Sequence, residues 1–136
     1  METRIIAIIN QKGGVGKSTT AEALIAGLSL KGFSCLAIDL DAQGNLTYTA
    51  GAKTDGATAL GVLTREVKIA DAIQKTDSGD LIAANKALAG ADAFIADTGK
   101  EYRLKEALEN IEGQYQYIII DTPPALGILT VNALTA

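Results

Sequence analysis

Histidine and tryptophan are both missing from these 136 residues, and cysteine occurs once. Without histidine there is no Ser-His-Asp triad, no imidazole general base and no His-ligated zinc. Cys35 alone can neither close an internal disulfide nor hold a metal cluster, which fits a reducing cytoplasm. Aromatic residues make up only 4% of the chain, which argues against a nucleic-acid surface built on stacked bases. Basic charge is also scarce: the net charge of −4 argues against a whole-domain basic footprint for DNA, though not against a local patch. Long hydrophobic runs are lacking as well. The apolar run that follows Met1-Glu2-Thr3-Arg4 ends at Asn10, too short for a signal peptide, and no other stretch reaches membrane-spanning length. What remains is a chain with 48% hydrophobic residues, enough for one modest domain with a core.

The apolar residues are organised. Arg4 to Ile9 (RIIAII) is a continuous apolar run, expected to be a strand buried on both faces of a parallel sheet. Ser18 to Lys31 has Ala21, Leu24, Ile25 and Leu28 at helical spacing, with Gly32 as a stop. Ser34 to Leu40 (SCLAIDL) is a second buried strand, completing a β-α-β unit. Asp41 to Gly56 is polar and Gly-rich and is expected to be a loop. Thr58 to Leu63 and Lys68 to Lys75 are expected short helices. Leu81 to Ala83 is a weaker strand candidate after the Ser78-Gly79 turn, and Lys86 to Ala96 is ambiguous. Tyr102 to Ile111 places Leu104, Ala107, Leu108 and Ile111 on one helical face. Tyr117 to Ile120 (YIII) is a third buried strand, ending at Asp121 and stopped by Pro123-Pro124; Ile128 to Ala136 begins another helix.

Between the first strand and the first helix lies Lys12-Gly13-Gly14-Val15-Gly16-Lys17-Ser18-Thr19. Strand, glycine-rich loop and helix in succession are the context of a phosphate-binding loop. Its glycines permit positive φ, so successive main-chain N–H groups can converge on phosphate oxygens, and the helix start adds its dipole. Lys17 is expected at the β- and γ-phosphates of ATP, the Ser18 hydroxyl on Mg²⁺, and Thr19 near the α-phosphate. The usual pattern asks for Gly at position 11, where this chain has Gln11. Lys12 ahead of two glycines makes it the deviant Walker A form. A second lysine five residues before Lys17 is costly unless it has a task of its own.

Acids close the other two strands. In a parallel sheet the carboxyl strand ends face the ligand crevice, so Asp39 and Asp41 are expected beside the loop. Asp41 is the candidate for positioning the attacking water, and Asp39 lies near the Mg²⁺ shell. Asp121 after Ile118-Ile119-Ile120 makes a Walker B carboxylate that would hold Mg²⁺ through a water. Thr122 to Leu126 would then sense the γ-phosphate. The fold class expected is α/β: a P-loop NTPase with a mostly parallel, doubly wound sheet and helices on both faces, the whole of residues 1–136 being the N-terminal portion of one such domain.

These residues together resemble the ParA/Soj/MinD group of deviant Walker A ATPases. Three stretches narrow the likeness to ParA/Soj: NQKGGVGKSTT at Asn10 to Thr20, DLDAQGNLT at Asp39 to Thr47, and YIIIDTPPALGILTVNALTA at Tyr117 to Ala136. YRLKEALE at Tyr102 to Glu109 also resembles its counterpart. The likeness is weakest between residues 50 and 98, and Ala42 stands where the family usually has Pro. The resemblance implies slow Mg²⁺-dependent ATP hydrolysis and an ATP-bound sandwich homodimer in which Lys12 crosses to the partner's nucleotide. It also implies non-specific DNA binding on the nucleoid in the cytoplasm, a ParB-like activator, and no membrane association. Family members are longer. The resemblance therefore implies that the C-terminal part of the fold, with further strands, adenine contacts and a basic DNA-binding surface, lies outside this chain. In isolation the chain is expected to be poorly active and to expose an apolar edge.

Four other readings compete. A MinD-like spatial regulator, or another ATPase positioning a protein cargo, would need an amphipathic membrane helix in the MinD case. A nitrogenase-type iron protein needs two cysteines per subunit. A metabolic enzyme like the dethiobiotin synthetases does not usually carry Lys12-Gly13-Gly14. A non-catalytic ATP-switched scaffold would make Asp41 dispensable. The short start before the first strand is expected to leave no room for a helix-turn-helix.

Overall fold

The computed structural model describes residues 2–9, 17–95 and 98–136, with the backbone alone at 17–19. Among the described residues five strands form one sheet: β1 (Arg4–Ile8), β2 (Cys35–Asp39), β3 (Ile73–Thr76), β4 (Gly79–Ile82) and β5 (Tyr117–Asp121), in the spatial order β1-β5-β2-β4-β3. Every neighbouring pair is parallel except the β3–β4 hairpin. The helices are α1 (Lys17–Leu30), α2 (Asn45–Ala50), α3 (Ala59–Leu63), α4 (Ile69–Ala72), α5 (Ala91–Phe94), α6 (Arg103–Glu109) and α7 (Ile128–Thr135). This is the mostly parallel α/β architecture expected, with helices on both faces.

The two faces differ in size. The larger core gathers Leu36, Ile38, Ile82, Ile118 and Ile120 against α3 to α7. The smaller one gathers Ala37, Leu81 and Ile119 against α1 and α2. Successive residues of β2, β4 and β5 alternate between the two cores because strand side chains point to opposite faces. That is why these strands carry unbroken apolar runs: both of their faces are dry.

β1 departs from expectation. It pairs only with β5 among the described residues, and Ile5 and Ile9 are 37% and 38% exposed. Among the described residues β1 borders the sheet instead of lying between two strands. Two further boundaries differ. The helix expected over 68–75 stops at Ala72, and Ile73 to Thr76 runs antiparallel to β4 instead. The turn between them uses Gly79 at φ 111, with the Thr76 hydroxyl donating to the Gly79 carbonyl at 2.6 Å. The loop expected over 41–56 contains α2, which begins after Gly44 in a left-handed conformation (φ 66, ψ 31). The ambiguous stretch from Lys86 becomes a 3-10 turn, Lys86–Gly90, leading into α5.

The candidate nucleotide site

Register places the acids. Along the ladder, Ile8 of β1 lies opposite Asp121 of β5, and Asp121 lies opposite Asp39 of β2. Three adjacent parallel strands therefore end in one row, and the two carboxylates within it are fully buried. The row is stitched beyond the strands themselves. The Leu40 amide donates to the Asp121 carbonyl at 2.8 Å, and the Thr122 amide to the Ile8 carbonyl at 3.3 Å. The Thr122 hydroxyl donates to the same Ile8 carbonyl at 2.7 Å.

Asp39 organises the chain beyond β2. Its Oδ1 accepts from the Asp41 amide at 3.1 Å. Its Oδ2 accepts from the Thr47 amide at 3.0 Å and the Thr47 hydroxyl at 2.7 Å. A buried carboxylate thus receives an amide from the first turn of α2, which lacks a side-chain cap at Gly44. NLTYTA is a weak helix by composition, and this contact explains why it forms one. Asp41, 6% exposed, accepts from the Gln43 amide at 3.1 Å through Oδ1, the geometry of an Asx turn. Burial pushes the Asp39 carboxyl up to about 6. The hydrogen bonds from Thr47 and from the Asp41 amide pull it down, while the Asp121 carboxylate adds to the upward push.

The segment after β5 is held differently. Beyond Thr122 it passes Pro123-Pro124 and exposes Leu126 at 72%. The Thr130 hydroxyl donates to the Ala125 carbonyl at 2.7 Å. The Ile128 amide, at the start of α7, donates to Asp92 Oδ1 at 3.0 Å. Inside α7, Asn132 is fully buried. It accepts from the Leu104 amide at 3.0 Å and donates to the Lys100 carbonyl at 3.0 Å, tying α7 to α6.

Of the residues singled out in the sequence, Asp39, Asp41 and Asp121 are brought together. Lys12, Gly13, Gly14, Val15 and Gly16 lie outside the described residues, as do the side chains of Lys17, Ser18 and Thr19. α1 covers Lys17–Leu30, against the expected Ser18 to Lys31. Cys35 is half-buried at the far end of β2, and burial pushes its thiol up against a hydrogen bond with Ser29; it is a packing residue. Sequence reasoning gave no role to Thr47, Asp92 or Asn132. Each has a partner 28 to 37 residues away, which only the tertiary fold brings to it.

Two buried carboxylates side by side suit a cation, which would relieve the push that the Asp121 carboxylate exerts on Asp39. No cluster of three or more acidic, cysteine or histidine side chains occurs among the described residues. A cation here would therefore take the rest of its oxygens from a hydroxyl, water and phosphate, the habit of Mg²⁺ at nucleotide sites. No helix among the described residues is long and apolar enough to cross a membrane.

Comparison with known proteins decides the family. The model of the AAA domain family matches residues 3–136. The chain belongs to this family. Within it, this AAA domain is similar to ParA/Soj proteins. It is 46% identical over 138 residues to the sporulation initiation inhibitor protein Soj of Bacillus subtilis, a match covering 98% of this chain and 54% of Soj. It is 45% identical over 140 residues to the chromosome partitioning protein ParA of Caulobacter vibrioides, covering 98% and 52%. The chain thus spans about half the length of the curated relatives it matches. Among solved structures, cobyrinic acid a,c-diamide synthase from Mycobacterium smegmatis, with bound ADP and magnesium, superposes with a TM-score of 0.93 at 44% identity. That match covers 98% of this chain and 56% of the other.

Proposed function

We propose that this AAA domain is the nucleotide-binding part of a ParA-type partitioning ATPase. The observation that carries the reading is the row Ile8–Asp121–Asp39: two buried acids at adjacent strand ends, beside the strand that leads into Lys12 to Thr19. Gly13 to Lys17 would wrap the triphosphate of ATP with main-chain amides, Lys17 would neutralise the β- and γ-phosphates, and Thr19 would take the α-phosphate. Ser18 and Asp121 would hold Mg²⁺, with Asp39 behind them. The ion supplies charge neutralisation at the phosphates when bound. Asp41, presented by the turn that Asp39 anchors, would align the water that attacks the γ-phosphate. Thr122, tied to β1, would carry the state of the phosphate into the segment before α7.

At the level of the assembly, Lys12 would serve the nucleotide of a second copy in an ATP-bound homodimer. The dimer would associate with DNA non-specifically on the nucleoid of the cytoplasm and respond to a ParB-like activator. The kinship with Soj and ParA supports this; a MinD-like role in positioning a protein cargo is the alternative within the same chemistry.

The test is nucleotide binding and turnover by the chain and its variants. Lys17→Ala should weaken Mg–ATP binding by about 100-fold or more. Asp41→Ala should retain ATP while losing turnover. Unchanged turnover in Asp41→Ala would remove the water-positioning role, and undiminished binding by Lys17→Ala would remove the phosphate-loop reading. The likeness to a protein named as a synthase favours one second reading, an ATP-dependent biosynthetic enzyme. ATP turnover that rises with a small carboxylate acceptor and ignores DNA and a basic partner peptide would select it.

A further inference from the structure

We propose that Thr47 is a positioning residue of this site: its hydroxyl is the joint through which the main chain beyond β4 fixes the segment that presents Asp41. The inference rests on the nucleotide-hydrolysis reading above for its consequence in turnover, though not for the joint itself.

Thr47 is 1% exposed, and its hydroxyl is used in both directions. It donates to Asp39 Oδ2 at 2.7 Å and accepts from the Ala84 amide at 2.9 Å. The polarity is fixed: an amide can only donate and an ionised carboxylate can only accept, so the single hydroxyl proton must point to Asp39. The second Asp39 oxygen accepts from the Asp41 amide at 3.1 Å. One line of contacts therefore runs from Ala84, through Thr47 and Asp39, to Asp41.

The far end of that line is firm. Ala84 is fully buried and continues β4. The carbonyl of its neighbour Ala83 accepts from the Ala59 amide at 2.8 Å. Asn85 donates to the Thr58 hydroxyl at 3.2 Å. The near end is a turn closed by Asp41 on Gln43 and Gly44. Thr47 thus couples a well-packed strand end to the turn carrying the candidate water-positioning acid. Asp39 already sits on β2, which pairs with β4; the Thr47 hydroxyl adds a direct bond from the segment beyond Asp39 to the chain that follows β4. Removing it strands a buried amide donor at Ala84 and takes one donor from Asp39. Thr47 has no hydrogen bond to Asp41, so the effect reaches catalysis through Asp39. It should appear in kcat and not in the binding of ATP.

Thr47→Val keeps the shape and removes the hydroxyl; Thr47→Ser keeps the hydroxyl and removes a methyl. In Thr47→Val, kcat for ATP should fall about tenfold or more, the value of one buried hydrogen bond, while KM stays within about twofold. Thr47→Ser should restore kcat to within about threefold of the parent. Amide exchange on the nucleotide-free chain gives an independent reading. The Ala84 and Asp41 amides should exchange about tenfold faster in Thr47→Val and near the parental rate in Thr47→Ser. Parental kcat in Thr47→Val, or an equal loss in both variants, overturns the positioning role. Unaltered exchange at both amides overturns the joint. A parent chain that binds no ATP rejects the nucleotide reading instead, and the exchange data then decide the joint by themselves.

Discussion

The chain leaves β2 through residues 40–47 and leaves β5 through residues 122–127, side by side at the same end of the sheet. The first folds back chiefly onto its own strand's acid: Asp39 takes the Asp41 amide and both donors of Thr47, while Leu40 on Asp121 and the Ala84 amide on Thr47 are its outside ties. The second is fastened to other elements, by Thr122 to the Ile8 carbonyl of β1 and by Ile128 to Asp92. An inward-tied segment keeps its shape whatever β1 does. An outward-tied one moves with β1 or with α5. The contrast suits a division of labour in which residues 40–47 hold a fixed acid for chemistry and residues 122–127 report on what β1 carries.

The largest expected effect tests the inward tie. Asp39→Ala removes the acceptor of three donors, two of them buried amides. Hydrogen exchange at Asp41 and Thr47 should quicken by about 100-fold, about 3 kcal/mol of local stability, while residues 122–127 stay as they were. Exchange that rises equally in both segments would merge the two and break the comparison. Next, Thr122→Val removes the hydroxyl tie to β1 and leaves the longer amide one. Chemical denaturation should show a loss of about 2 kcal/mol, with faster exchange in residues 122–127 and none in 40–47.

The third expectation concerns acid. The Asp39 carboxyl stands at about 6 in the fold against an ordinary 3.8. The folded chain therefore holds that proton more tightly than the unfolded one. Stability from this group is complete below pH 4 and is lost as pH rises through 6. Between pH 5 and 7.5 the chain should lose roughly 1.5 kcal/mol by urea titration, and Asp39→Asn should flatten that slope. A parental slope surviving in Asp39→Asn would place the titrating group elsewhere. The smallest effect tests α7: Asp92→Ala should cost about 1 kcal/mol, as loss of a helix cap does, read as a lowered melting temperature without change in the first segment.

Much of this site could be read from the residues. Ile118 to Ile120 and Leu36 to Ile38 announce strands dry on both faces, and the acids that close them then fall at the crevice end by the rules of parallel sheets. What could not be read depends on distance along the chain. Asn45 to Ala50 has no strong helix former beyond Leu46 and Ala50, and it is helical because Asp39 accepts the Thr47 amide and hydroxyl. Ile73 to Thr76 continues the spacing of α4, and only pairing with β4 makes it a strand. The border position of β1 is invisible locally, because Arg4 to Ile8 is as apolar as β5. Thr47 gains its importance from Ala84, 37 residues later.

That border position has a thermal consequence. A strand laced along one side has half the ladder of its neighbour, so β1 and β3, at the two borders, should loosen before the strands between them on heating. Of these two, β1 is the one that runs into residues 10–16. A nucleotide held there, as proposed, would rivet that border, so occupancy and melting would rise together.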